Sequence, residues 1–161
     1  MDGIDRMVLA ALEQDARLTY AQIASRVGLA ASSVHDRVRK LERAGVIKAY
    51  RAELDRDQTG FPITALVSLT LQPTSSSDVP SKVAELPFVE SCYSVAGDYS
   101  YVLVVRTPST HDLEQLLDDL RGKLEVLTRS TVVLSTPFER RPLLGASGDL
   151  RPPPSDGLHP S

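Results

Sequence analysis

The sequence predicts an α+β chain in two unlike parts, an N-terminal winged helix-turn-helix domain followed by a ferredoxin-like βαββαβ domain. Three observations carry that prediction. Apolar residues recur at helical spacing through the first fifty residues and in twos beyond residue 62. A glycine at position 28 separates two short amphipathic stretches, as a tight turn between helices requires. The charge also changes sign: residues 1–51 carry nine Lys and Arg against six Asp and Glu, and residues 52–161 carry nine against fifteen, in a chain of net charge -3. The domains expected are therefore residues 1–54 for the helices, 55–61 for a linker, 62–141 for the sheet and 142–161 for a tail.

The spacing of Ile4, Met7, Val8, Ala11 and Leu12 predicts a first helix over about residues 5–14. Thr19 and Gln22 have the spacing of a reciprocal cap, so a second helix begins at Thr19 or Tyr20, turns Tyr20, Ile23, Ala24 and Val27 inward, and stops at Gly28. In the third, Val34, Val38 and Leu41 form one apolar stripe and Ser32, His35, Asp36, Arg39, Lys40 and Arg43 fall on the other sides. From residue 31 to 51 the cations Arg37, Arg39, Lys40, Arg43, Lys48 and Arg51 face only Asp36 and Glu42. A charge run alone is usually a solvated helix face. Combined with the turn, the cap and the stripe it becomes a surface for double-stranded DNA, because counterion release rewards the cations that touch phosphate and not the sum over the protein. Ser32, Ser33, His35 and Asp36, at the start of the helix, would face base edges; Arg39, Lys40 and Arg43 would lie along the backbone, and Arg37 completes the basic set.

Residues 46–54 suit a strand and carry Lys48 and Arg51; a wing beside DNA and a plain connecting strand both fit. Residues 55–60 make a polar turn ending in glycine. Strands are then expected at residues 64–71, 90–95, 101–106 and 129–135. A short helix capped by Ser77 or Asp78 carries Val79, Val83 and Leu86, and a longer one capped by Ser109 or Thr110 carries Leu113, Leu116, Leu117, Leu120 and Leu124. In this split βαβ order the first and third strands are central. The third is apolar on both alternating faces, yet two helices cover only one, so a second copy of the chain is expected on the other and a homodimer follows. Between the second and third strands, Gly97 and Asp98 are good hairpin formers.

Asp5, residues 18–27, Gly28-Leu29, Arg37-Val38-Arg39-Lys40-Leu41-Glu42, Gly45-Val46-Ile47 and Gly97-Asp98-Tyr99 together resemble the Lrp/AsnC, or feast/famine, transcriptional regulators, over most of the chain to about Phe138. The resemblance implies a sequence-specific DNA-binding regulator, dimers that assemble into tetramers or octamers, and an amino acid or similar small effector held near Gly97, Asp98, Tyr99 and Ser100. It also places Thr128 and Ser130 at paired hydroxyl positions facing that pocket, although such residues in a strand are usually surface. Exposed amides at a glycine turn suit a carboxylate. Two positions depart from the family pattern. Ala30 stands where members often carry a capping Ser, leaving Ser32, Ser33, phosphate or water to satisfy the helix end. Ser100 stands where Asp is common, which removes a partner for an effector's ammonium group.

With 161 residues, 42% hydrophobic and 24% charged, the chain is globular in composition. A single cysteine, Cys92, leaves no internal disulfide and no cysteine cluster for a metal, and its thiol is expected to be half-buried in a strand. No apolar run reaches membrane-spanning length and no leader is present, so a cytoplasmic protein is expected. His35 lies in the third helix, His111 at a helix start and His159 in the tail, and no triad, metal cluster or phosphate-cradling loop can be assembled from them. No cofactor and no enzymatic activity are expected. The rival is a siroheme-decarboxylase-like enzyme, a class that resembles this family in fold; a ligand-binding regulator with a defunct DNA domain is a third reading. From Pro142 onward glycine and proline dominate, the composition of a disordered tail.

Overall fold

The computed structural model describes residues 1–145 and 148–149. They divide into two compact units, one of Met1–Ala52 with the chain from Phe138 onward, the other of Glu53–Pro137.

In the first unit, α1 (Gly3–Gln14) starts two residues earlier than its apolar spacing predicts, because Asp2 and Asp5 cap it reciprocally. The Asp5 N–H donates to Asp2 Oδ1 at 2.7 Å and the Asp2 N–H to Asp5 Oδ2 at 2.9 Å. α2 (Tyr20–Val27) begins as Thr19 and Gln22 predict, with the Gln22 N–H on Thr19 Oγ1 and the Thr19 N–H on Gln22 Oε1. It ends at Gly28, whose φ of +70° only glycine adopts without cost. α3 (Ala31–Arg43) closes on Gly45, φ +69°, with the Gly45 N–H on the Glu42 carbonyl and the Val46 N–H on the Leu41 carbonyl, the paired bonds of a left-handed helix stop. Val8, Ala11, Ile23, Ala24, Val34 and Val38 form the core between the three helices.

Three expectations for this unit change. Tyr20, predicted to point inward, is exposed: it occupies the first position of α2, at the end of its apolar face, where its ring stands edge-on to His35. Residues 46–54 form no strand, neither wing nor connector, since strand-forming residues make a ladder only against a partner and none among the described residues pairs with them. Their anchor is Tyr50, whose hydroxyl donates to Glu42 Oε1 at 2.9 Å. The chain expected as a disordered tail starts out docked on α1. The Leu143 and Leu144 N–H groups donate to the two carboxylate oxygens of Glu13, and Gly148 lies so close that a Cβ there would stand 2.8 Å from Arg6 Cβ and from the Met7 nitrogen. Residues 146–147 and 150–161 of that expectation lie outside the described residues.

The second unit is a four-stranded antiparallel sheet in the order β2-β3-β1-β4, built from β1 (Ile63–Thr70), α4 (Val79–Ala84), β2 (Val89–Ser94), β3 (Tyr101–Thr107), α5 (Thr110–Leu124) and β4 (Leu127–Val132). This is the ferredoxin-like arrangement, with β1 and β3 central as expected. Asp78 caps α4 and Ser109 caps α5. Strand β4 begins two residues before its predicted start: Glu125 takes a left-handed φ of +53° directly after α5, Val126 drops into the core, and the strand must start at once. One face of the sheet buries Ala65, Val67, Leu69, Leu103 and Val105 against Val79, Val83, Leu113, Leu116, Leu120 and Leu124. Cys92, expected half-buried, is exposed, because β2 is an edge strand. Among the described residues no helix is long and apolar enough to cross a membrane.

Candidate nucleic-acid interface and effector loop

α3 presents two opposite faces. Val34, Val38 and Leu41 are buried, while Ser32, Asp36, Arg39 and Arg43 recur at intervals of four, three and four on the far side and are exposed. Ser33 and Lys40 flank that line and are also exposed. Among the described residues Arg39 and Lys40 pair with no carboxylate, and Arg43 Nε donates to the Arg39 carbonyl at 3.2 Å, which holds its guanidinium along the helix. Ala30 occupies the N-cap in an extended conformation without any side-chain cap. Neither Ser32 nor Ser33 takes over that role, so no side chain caps the first amides of α3.

Two residues of the sequence-derived set sit differently. Arg37 is not part of the outward line. Its Nη1 donates to Asp5 Oδ1 at 2.6 Å and to Asp2 Oδ2 at 2.7 Å, which binds the middle of α3 to the cap of α1. Asp5 is only 4% exposed, and a buried carboxylate so placed demands its cation. Each carboxyl is held below its ordinary value of 3.8, Asp2 by the Asp5 N–H and then Arg37, Asp5 by the Asp2 N–H and then Arg37, while the Arg37 guanidinium is raised by both aspartates. His35 lies on the flank of α3, half-buried, with its ring 5.2 Å from that of Tyr20 at 77° and its Nδ1 3.2 Å from Asp36 Oδ1. Sequence reasoning missed Tyr20 as a neighbour of this helix and missed the Asp2–Asp5–Arg37 tie. The aspartates three apart were the available signal for the cap; nothing local could reveal their partner more than thirty residues away.

In the second unit the candidate effector residues lie at one end of the sheet. Ser94 to Asp98 are exposed and Gly97 has a φ of +138°. Ser100 is turned toward β1: its N–H donates to the Leu69 carbonyl at 2.9 Å, and its Oγ accepts weakly from the Leu71 N–H at 3.4 Å. Thr128 is paired with that same Leu69 and Ser130 with Val67, so both hydroxyls share the helix-covered face of the edge strand. Thr128 Oγ1 accepts from Arg121 Nε of α5 at 2.8 Å, and Arg129, on the opposite face, donates from Nη1 to the Tyr99 hydroxyl at 3.2 Å. Within one protomer the loop and the hydroxyl pair therefore adjoin the same sheet end, with Thr128 and Ser130 on the helix-covered face and the Tyr99 hydroxyl met by Arg129 from the opposite face. The sheet face away from the helices carries Val102 and Val104, half-buried, with Leu66, Tyr93 and Leu127 exposed beside them.

Comparison with known proteins adds two family matches. Residues 1–48 match a winged helix-turn-helix DNA-binding family, and residues 64–143 match the Lrp/AsnC ligand binding domain. The chain is 42% identical over 142 residues to the HTH-type transcriptional regulator LrpA of Mycobacterium tuberculosis, covering 88% of this chain and 95% of that protein. It is 32% identical over 138 residues to the HTH-type transcriptional regulator FL11 of Pyrococcus horikoshii, covering 84% and 91%. Among solved structures it resembles a feast or famine regulatory protein of M. tuberculosis complexed with L-methionine, with a TM-score of 0.83, 42% identity and coverage of 87% of this chain and 96% of that one.

Proposed function

The chain belongs to the Lrp/AsnC family of transcriptional regulators, and from that premise we propose that it binds operator DNA as a symmetric assembly, with α3 of each protomer in a major groove and a small effector modulating the assembly. The observation that carries the DNA reading is the outward line Ser32, Asp36, Arg39 and Arg43, flanked by Ser33 and Lys40. It combines short polar groups at the helix start with cations further along, the division between base contacts and backbone contacts that a recognition helix uses. The uncapped amides at Ala30 add donors at the same end. A dimer through the uncovered sheet face follows from Val102, Val104, Leu66, Tyr93 and Leu127, which water serves poorly. Tetramers or octamers would be built from such dimers, and the protein would work in the cytoplasm.

For the effector we propose an amino acid or a related small carboxylate, with L-methionine as the first to try because a relative has been solved with it. Gly97, Asp98 and Tyr99 would supply amides and polar atoms. Ser100 would contribute no carboxylate toward an ammonium group, since it is a serine bonded to β1. Because Thr128 and Ser130 lie on the helix-covered face while the Tyr99 hydroxyl is met from the opposite face, the pocket would be completed where copies meet. The decisive experiment is selection of bound sequences from random duplex DNA, with and without added amino acids. A roughly palindromic motif with half-sites about one helical turn or a multiple apart supports the reading; binding that tracks salt alone and returns no motif defeats it. The decarboxylase alternative draws no support from the relatives, which are regulators.

A further inference from the structure

Asp36 is the anomaly of the DNA-facing line. A carboxylate among cations loses affinity for every duplex, because it faces phosphate repulsion wherever the helix lies. Yet its side chain is 81% exposed and paired with none of the neighbouring cations; it is held instead from the side by His35. Since a carboxylate only accepts, the imidazole nitrogen facing it, Nδ1 at 3.2 Å from Oδ1, must carry the proton. The imidazole is in turn fixed by the edge-on ring of Tyr20, the first residue of α2, at 5.2 Å. The three groups form a line from the neighbouring helix through the flank of α3 to its outward face.

We propose that Tyr20 and His35 are positioning residues that aim the Asp36 carboxylate at the exocyclic amino group of a cytosine in the major groove. The inference deepens the DNA-binding reading of α3 and rests on it. Cytosine is the base whose major-groove edge offers a donor without an acceptor beside it on the same base, and an acceptor-only side chain matches it. Adenine instead offers a donor next to an acceptor, which suits an amide. The repulsion from phosphates then becomes a device for selectivity: it weakens binding everywhere, and the cytosine contact offsets it at the correct site alone.

The test is selection from random duplexes with the full-length parent, Asp36→Asn, Tyr20→Ala and Tyr20→Phe, with the salt dependence of binding measured on the parent's best site. The parent is expected to require a cytosine in each half-site. Asp36→Asn should exchange it for adenine and lower the preference for the parent site about tenfold or more. Tyr20→Ala should flatten the preference at that position while leaving the salt slope unchanged, and Tyr20→Phe, which keeps the ring, should restore it. If Asp36→Asn returns the parent's motif, the carboxylate does not read the base and the proposal falls while the DNA reading stands. If Tyr20→Ala weakens all sequences alike, or Tyr20→Phe fails to rescue, the positioning role falls. A parent that returns no motif overturns the DNA reading and this inference together.

Discussion

The exposed face of α3 and the uncovered face of the sheet are both surfaces that the fold leaves open, but they are open in opposite senses. The first is polar and cationic, and water satisfies it until a polyanion arrives. The second carries Val102, Val104, Leu66, Tyr93 and Leu127, and water does not satisfy it. A charged open face can wait for its ligand, whereas an apolar one is expected to be covered at once, by another copy of the chain. The difference would separate a conditional partner from a constitutive one, so that a single short chain would combine a reversible contact with a lasting one.

The largest effect should come from the two sides of β3. Leu103→Ala opens a cavity in the core between the sheet and its helices and should cost about 2–5 kcal/mol of unfolding free energy in urea titration. Val104→Asp, one residue along on the other face, should leave the secondary structure intact in circular dichroism but shift light scattering from dimer toward monomer. Equal damage to folding by both variants would break the contrast.

Next in size is the comparison of two cations on α3. Arg37→Ala leaves Asp5 buried without its cation and should lower the melting temperature of the protein. Lys40→Ala should leave that temperature unchanged, weaken binding to all DNA alike and reduce the salt slope by about one. If the effects were exchanged, Arg37 would belong on the DNA face after all.

These cases show where the sequence is legible. The caps at Thr19 and Gln22, the stop at Gly28, the apolar stripes and the central place of β3 are local signals, carried within a few residues, and the structure repeats them. The role of Arg37 is set by carboxylates 32 and 35 positions away, which a charge count cannot distinguish from phosphate. Residues 46–54 have the composition of a strand, but a strand is a pairing, and pairing is not a property of one segment. The offset of β4 follows from one left-handed residue, Glu125, where a non-glycine gives no warning.

Smaller effects should appear in pH titrations of folding. Asp2 and Asp5 have folded values below 3.8, so their reciprocal cap and then their tie to Arg37 contribute stability that is full above about pH 4 and is lost as pH falls through the depressed values. Arg37→Ala should show a shallower loss over that acid range. At the other extreme the Tyr50 hydroxyl is pushed up to about 12, first by partial burial and then by Glu42. Being raised, it contributes stability that is fully present below pH 10 and disappears as pH rises toward 12. Ultraviolet titration of the phenolate should detect it, and Tyr50→Phe should remove this dependence.

Gly148 resting against Arg6 and Met7 has a consequence for the order in which the protein is made. α1 leaves the ribosome well ahead of the chain that packs on it. At about 5–20 residues per second, the interval between them is on the order of ten seconds. During that interval the whole of Glu53–Pro137 emerges and can fold as an insertion between two pieces of the other unit. The helical unit is thus begun before the sheet unit and finished after it, and its final packing is a report that the sheet has already been synthesised.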